Sequence, residues 1–466
     1  MAAHLPTGSP WLALTPLGGL LGALVQLLGT VIAAFSARYL EGEDGQKRYA
    51  AALAGVLASV HLLLLANHWL VLIAAWSLIG TALQHLLCFY CDRPFARLAA
   101  HKKRLADRLA DVSLLAAALL AWHETGNGSL SDLADYLAVH GASHALQCSA
   151  VCLALAVVLR TALLPVHGWL VQVMEAPTPV SALLHAGVVN LGGFVLIRFS
   201  TLLDHAPAAR WLLVVMGSTT AVLAGLVMLT RITIKVRLAW STVAQMGFMV
   251  MECGLGLYTF AALHLVGHSL YKAHHFLSAS SAVRQTRLQM MQDPAPAHPA
   301  SLLLAPMAAA AVLHTLHGVG GAATWPWWWV VSLALSWAPL LWLPRGLATG
   351  TTLRRAVAGL IMIAGLGCAA SLAHTLPLGL HDAPDTASGL LALFGLAALY
   401  GCLILLQWRP RVLATWRCWS YAGFYIDEHY TRLTLLLWPT PWTAATTPVA
   451  PSPAPWTANV SAANVY

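Results

Sequence analysis

Leu263-His264-Leu265-Val266-Gly267-His268-Ser269-Leu270-Tyr271-Lys272-Ala273-His274-His275-Phe276-Leu277 is the stretch on which the reading of this chain turns. Its composition is that of a buried or membrane helix, yet it carries an amine and several imidazoles. His264, His268 and Lys272 stand at i, i+4 and i+8, so each is rotated by only about 40° from the last and all three share one helix face. An ammonium near the centre of a bilayer costs roughly 2.5–3.5 kcal/mol on insertion scales. An amine shielded from water can also exist without its charge and so exchange a proton, and imidazoles do so near neutral pH. Two readings of the face follow: an ion relay, or a polar seam bonded to neighbouring helices.

Composition places this helix in a membrane protein. The 466 residues have a mean hydropathy of +0.71, 59% hydrophobic residues and 9% charged residues. A soluble domain carries about 25% charged residues. No polar stretch is long enough to build a second, soluble domain. Met1 to Pro10 holds neither Lys nor Arg, so a cleavable signal peptide is not expected.

Hydropathy predicts about thirteen spans: 15–36, 49–66, 68–90, 109–122, 144–164, 178–200, 211–230, 238–256, 258–281, 301–321, 326–344, 353–375 and 387–408. Of the 25 Lys and Arg residues, only Arg198 and Arg210 go with even-numbered loops, and only Arg160 and Lys272 lie inside spans away from their terminal residues. The others, Arg284 and Arg287 among them, lie in odd-numbered loops or the C-terminal stretch. Positive charge resists translocation, so those loops and the C-terminus are expected in the cytoplasm and the N-terminus outside. The fold class is therefore all-α, a polytopic membrane bundle. Residues 1–410 form the bundle, 411–437 an amphipathic cytoplasmic segment, and 438–466 a Pro-, Ala- and Thr-rich flexible tail. Trp325-Pro326-Trp327-Trp328-Trp329 opens a span at the outer interface.

Pro165 follows Arg160 in Leu159-Arg160-Thr161-Ala162-Leu163-Leu164-Pro165 and predicts a broken helix. Irregular backbone at membrane depth lines a cavity or packs on protein. Arg160 then either faces a wet interior or snorkels to the surface. In Met174-Glu175-Ala176-Pro177-Thr178-Pro179-Val180-Ser181-Ala182-Leu183-Leu184-His185 two prolines start the next span, where a missing donor does no harm. Glu175 is the best candidate to neutralise Arg160 or His185. His185 reads equally as a relay member or a structural histidine. Glu252 reads as a solvated span-end residue, or else as a cation or proton acceptor at the outer mouth, and Asp204 as an outer residue. The run from Arg93 to Arg108, with Asp107 and Asp111 beside it, reads as a positive-inside anchor.

Redox and metal chemistry have little to stand on. Cys88-Phe89-Tyr90-Cys91 has no second pair at zinc spacing, and His264-x-x-x-His268 lacks the glutamate of the metalloprotease pattern. His314 and His317 are a loose pair. No phosphate-cradling loop occurs. No cofactor and no metal are expected, and no nucleic acid.

The run Leu159–His185, the segment Ser241-Thr242-Val243-Ala244-Gln245-Met246-Gly247-Phe248-Met249 and the His264–Phe276 helix together resemble the antiporter-like subunits of respiratory complex I, subunit L above all, and the large subunits of multisubunit sodium/proton antiporters. Phe424-Tyr425-Ile426-Asp427-Glu428-His429-Tyr430 is similar to an aromatic-Asp-Glu-x-Tyr element near the end of those subunits. Within the superfamily the chain is most similar to the DabB-type membrane subunits of two-component dissolved-inorganic-carbon pumps. There are departures. Trp76 is followed by Ser77 rather than the family's glutamate, and Arg160 stands in the place of a lysine. No lysine occurs in 301–408, and since Met1 falls shortly before what resembles the third span of the long members, their first two spans are not expected here. These losses favour the carbon-pump type over a complete complex I channel.

The resemblance implies an ion-translocating subunit, itself no enzyme, in a bacterial inner membrane. It implies a large soluble cytoplasmic zinc partner of DabA type, resembling β-carbonic anhydrase, that hydrates carbon dioxide to bicarbonate. Lys272, His268 and His264 would carry or gate a proton or sodium ion, His185 would bridge, and Arg160 and Glu175 would set the field. The alternative is a pumping subunit of a quinone- or ferredoxin-linked oxidoreductase or of a multisubunit sodium/proton antiporter. The 411–437 segment would rest on the partner or on membrane lipid.

Overall fold

The computed structural model describes residues 10–279, 296–320, 325–346 and 349–440. Arg284, Arg287 and most of the expected flexible tail, 441–466, lie outside the described residues. Helices α1 (Pro16–Tyr39), α2 (Gln46–Leu65) and α3 (Trp69–Leu87) run back and forth through short turns. Local chemistry sets their starts. The Thr15 hydroxyl accepts from the Gly18 amide and Pro16 opens α1, while the His68 ring accepts from the Leu70 amide ahead of α3. Next come α4 (Pro94–Thr125), α5 (Leu130–His140) and α6 (His144–Arg160).

The predicted break falls where expected. α6 stops at Arg160, the Leu164–Pro165 bond is cis, and the chain resumes in a short α7 (Gly168–Gln172) and a 3-10 turn, Val173–Glu175. A second break was not foreseen. The expected span 178–200 divides into α8 (Thr178–Ala186) and α9 (Leu191–Arg198) around Gly187 and a 3-10 turn, Val188–Asn190. The Asn190 amide donates to the Ala186 carbonyl at 3.0 Å, satisfying an acceptor that the interruption frees.

After α10 (Ser200–Asp204) comes the hairpin α11 (Pro207–Leu229) and α12 (Ile234–Gly254), whose two helices pack closely along their length. There a side chain on Gly217 would lie 2.6 Å from the Gly247 carbonyl oxygen. α13 (Tyr258–Leu277) then packs on α8 and α12. The remaining helices are α14 (Pro299–Gly320), α15 (Trp327–Trp337), α16 (Thr349–Thr375) and α17 (Thr386–Trp408). They share a second apolar core with the ends of α11–α13, and α17 lies against α11.

Each predicted span coincides with a helix or helix pair. Among the described residues eight are long and apolar enough to cross a membrane, with α6 and 327–341 as shorter apolar helices. α4, α12 and α13 fall outside that set because their charged and polar side chains, some buried in the bundle and others exposed, lower their hydropathy. The segment after the bundle folds as α18 (Ala414–Tyr421) and α19 (Ile426–Leu437), joined by Phe424 and Tyr425, both at positive φ.

Candidate functional site

The α13 stripe faces inward. Lys272 has no exposed surface, and its Nζ donates to the Leu238 carbonyl at 3.0 Å and to Ser241 Oγ at 2.8 Å, both on α12. Both acceptors are neutral, and among the described residues no carboxylate pairs with this amine. One turn away His268 is buried with neither ring nitrogen bonded. A further turn along, His264 Nδ1 lies 2.8 Å from Glu252 Oε2, and the two histidine ring centroids are 6.0 Å apart. His185, on α8, is fully buried and stacked on Phe276 at 4.5 Å, again with both nitrogens unpartnered. Unpaired buried polar groups cost about 1–3 kcal/mol each.

A second polar line runs along α4. Lys103, Asp107 and Asp111 repeat the i, i+4, i+8 spacing. Lys103 pairs with Asp107, and Asp111 pairs with Arg160. The Arg160 guanidinium also donates to the Trp76 carbonyl at 2.6 Å and lies 4.9 Å from the Trp76 ring centroid, while Ser77 Oγ donates to Asp111 at 2.9 Å. Gly80 gives Asp107 room, since a side chain there would come within 3.0 Å of its carboxylate. Beyond Lys103, the fully buried Lys102 Nζ lies 2.5 Å from Asp427 Oδ1 and 2.8 Å from Thr431 Oγ1, both on α19. Gln172 Nε2 donates to the other Asp427 oxygen at 3.1 Å. Gly168 makes this seat possible, because any side chain there would strike the Asp427 carboxylate. His167 is fully buried, its ring 4.8 Å from that of Trp240 on α12.

Several expectations are corrected. Glu175 does not neutralise Arg160. Its side chain is 42% exposed and 3.7 Å from Arg93, because the 3-10 turn ends at the surface before Pro177 starts α8. Asp111 takes that place, held by Ser77, so the Trp76–Ser77 departure is compensated from a neighbouring helix. Arg160 is interior and does not snorkel. Glu252 is buried rather than solvated: the turn at Gly256, with φ +74°, brings the Ala383 amide to the Gly256 carbonyl at 2.9 Å and lays residues 382–385 over the end of α12. The Arg93–Arg108 run is only partly an anchor, since Lys102 and Lys103 turn inward. His167, Asp107, Asp111 and Asp427 were not singled out as site residues. The α4 spacing that matches α13 was the signal available. Among the described residues no group of three or more His, Cys, Asp or Glu is arranged to hold a metal ion.

A helix bundle with two interrupted helices and two inward lines of ionisable side chains is the architecture of a membrane protein that handles ions within its interior. Comparison with known proteins agrees. The family described as NADH:quinone oxidoreductase/Mrp antiporter, TM, matches residues 66–316. The chain is 36% identical over 463 residues to a "Probable inorganic carbon transporter subunit DabB" of Hydrogenovibrio crunogenus, covering 94% of this chain and 85% of that one. It is 45% identical over 293 residues to a "Probable inorganic carbon transporter subunit DabB2" of Halothiobacillus neapolitanus, covering 61% of this chain and 53% of the relative. To NADH-quinone oxidoreductase subunit L of Mycobacterium tuberculosis it is 32% identical over 264 residues, 56% of this chain and 41% of that one. A chain of the Mrp complex from a Dietzia species shares the fold, with a TM-score of 0.60 at 24% identity over 90% of this chain and 53% of the other. The chain thus belongs to the NADH:quinone oxidoreductase/Mrp antiporter membrane family and, within it, groups with the DabB subunits.

Proposed function

We propose that this chain is the membrane ion-translocating subunit of an inorganic-carbon uptake pump. Protons moving down their gradient through the bundle drive a cytoplasmic zinc partner, resembling β-carbonic anhydrase, that converts carbon dioxide to bicarbonate. The partner does the chemistry; this chain conveys the driving ion. The observation that carries the reading is Lys272, an amine with no exposed surface whose acceptors, the Leu238 carbonyl and Ser241 hydroxyl, are neutral. Such an amine can give up its proton without breaking an ion pair. The buried imidazoles of His268, one turn along α13, and of His185 are the groups available to take it, and His264 with Glu252 continues the line. A proton is favoured over sodium because the line offers amine and imidazole nitrogens, whereas hard cations are held by oxygen cages.

Arg160 cannot deliver a proton. With Asp111 it sets a fixed field beside the relay. The basic loops favour an N-terminus outside the cell and α18–α19 in the cytoplasm, where the exposed Trp416, Trp419 and Tyr425 would offer the partner an aromatic surface. The test is Lys272→Met, which keeps the apolar volume. With the partner co-expressed, uptake of labelled inorganic carbon is expected to fall to background while the variant still reaches the membrane. Uptake at the unsubstituted level would refute the relay.

A further inference from the structure

Glu252 of the Glu252–His264 pair, with a side chain only 4% exposed, lies under residues 382–385, which fold across its end of α12. We propose that His374 and Asp382 form a proton-binding station between that pair and the aqueous face at the α12–α13 turn. The inference rests on the relay reading above and adds its terminal site.

Three observations carry it. First, the bonding of His374 fixes its protons. Nδ1 lies 2.7 Å from the Ala370 carbonyl, which can only accept, so Nδ1 carries a hydrogen. Nε2 lies 3.1 Å from Asp382 Oδ2. In a neutral ring that nitrogen would present a lone pair to a carboxylate oxygen, two acceptors face to face. One further proton resolves the clash, whether it resides on the ring or on the carboxyl. His264 differs: it can donate from Nδ1 to Glu252 and keep Nε2 free, so that pair needs no extra proton. One pair is built to hold a proton and its neighbour is able to accept one.

Second, the station is fixed in place. The Thr259 amide donates to Asp382 Oδ1 at 2.8 Å, and Arg210 donates to the Gly254 and Ala383 carbonyls at 3.0 and 2.7 Å. Only a glycine at 256 admits the Ala383 carbonyl so near. Third, the pair is part-buried, with side chains 8% and 16% exposed, in the segment that folds across the end of α12 next to Glu252. The Phe260 ring of α13 stands 5.0 Å from the His374 ring. Charged and titratable groups on the packed elements include Arg210, Asp204 and Tyr258, Glu252, Cys253 and His264, His317 beyond the Trp325 ring, and His381 and Asp385 on the covering segment.

Asp382→Asn separates proton binding from architecture. An asparagine oxygen still accepts from Thr259, and its NH2 can donate to His374 Nε2 without a titratable proton. In cells co-expressing the partner, labelled inorganic-carbon uptake across external pH 6–8.5 is expected to drop at least about tenfold and to lose its pH dependence. His374→Gln should do the same, and it decides the matter if Asp382→Asn fails to reach the membrane. Unsubstituted uptake and pH profile in the asparagine variant, with Lys272→Met inactive, would overturn the station and leave the relay standing. If Lys272→Met is itself active, the relay reading falls instead.

Discussion

Removing Asp111 should uncover what its contact with Arg160 contributes. At an effective dielectric near 20, opposite charges about 4 Å apart attract by about 4 kcal/mol. The Asp111 side chain is 28% exposed, so solvent screening should reduce the coupling to about 2 kcal/mol. Asp111→Ala strands a buried guanidinium, which retains the Trp76 carbonyl and ring as partial substitutes. About 3 kcal/mol of destabilisation is expected, the lower end for a broken buried pair. Arg160→Met leaves a carboxylate that still has Ser77 and some water, and should cost about 2 kcal/mol. The double variant should cost little more than Asp111→Ala alone. Equilibrium unfolding in mixed micelles, followed by tryptophan fluorescence, gives the four free energies. Additivity within about 0.5 kcal/mol would refute the pairing and with it the claim that Asp111 replaces the missing glutamate.

Two other perturbations test the ends of the bundle. Gly168→Ala places a methyl where the Asp427 carboxylate sits, so α19 should lift from its seat at a cost of about 2 kcal/mol, seen as faster proteolysis between α17 and α19 in native membranes. Asp385 caps α17 by accepting from the Ser388 amide at 2.8 Å, and bonds from the Ser388 side chain and backbone hold its carboxyl below the usual carboxylate range. A carboxyl lowered in the folded state stabilises above its unfolded value, about pH 4, and loses that contribution as pH falls through its folded value. Asp385→Ala should therefore lower the melting temperature by the equivalent of about 1 kcal/mol at pH 6, and the gap to the unsubstituted protein should close on acidification below pH 4.

Periodicity and composition made much of this fold legible. The spans, the interruption after Arg160 and the inward face of α13 all follow from hydropathy, proline chemistry and a four-residue spacing. Partnerships were harder to read. Asp111 meets Arg160 across 49 positions, and Asp427 meets Lys102 across 325. Nothing local in a sequence encodes such distances. Glu175 was the nearest carboxylate along the chain and proved to be on the wrong surface. The interruption at Gly187 escaped because a single glycine in an apolar run also fits an intact membrane helix. Lys102 and Lys103 were hidden by their company, since a cluster of basic residues at a span end usually means an anchor.

The seat of Asp427 gives the C-terminal segment an electrostatic duty. Lys102 has no exposed surface and takes both its side-chain acceptors, Asp427 and Thr431, from α19. A stop codon before residue 427 would therefore do more than shorten the protein: it would leave an uncompensated positive charge one residue away from the Lys103–Asp107 pair. Shortened versions made for expression or crystallisation should end beyond Leu437, and affinity handles belong after that point.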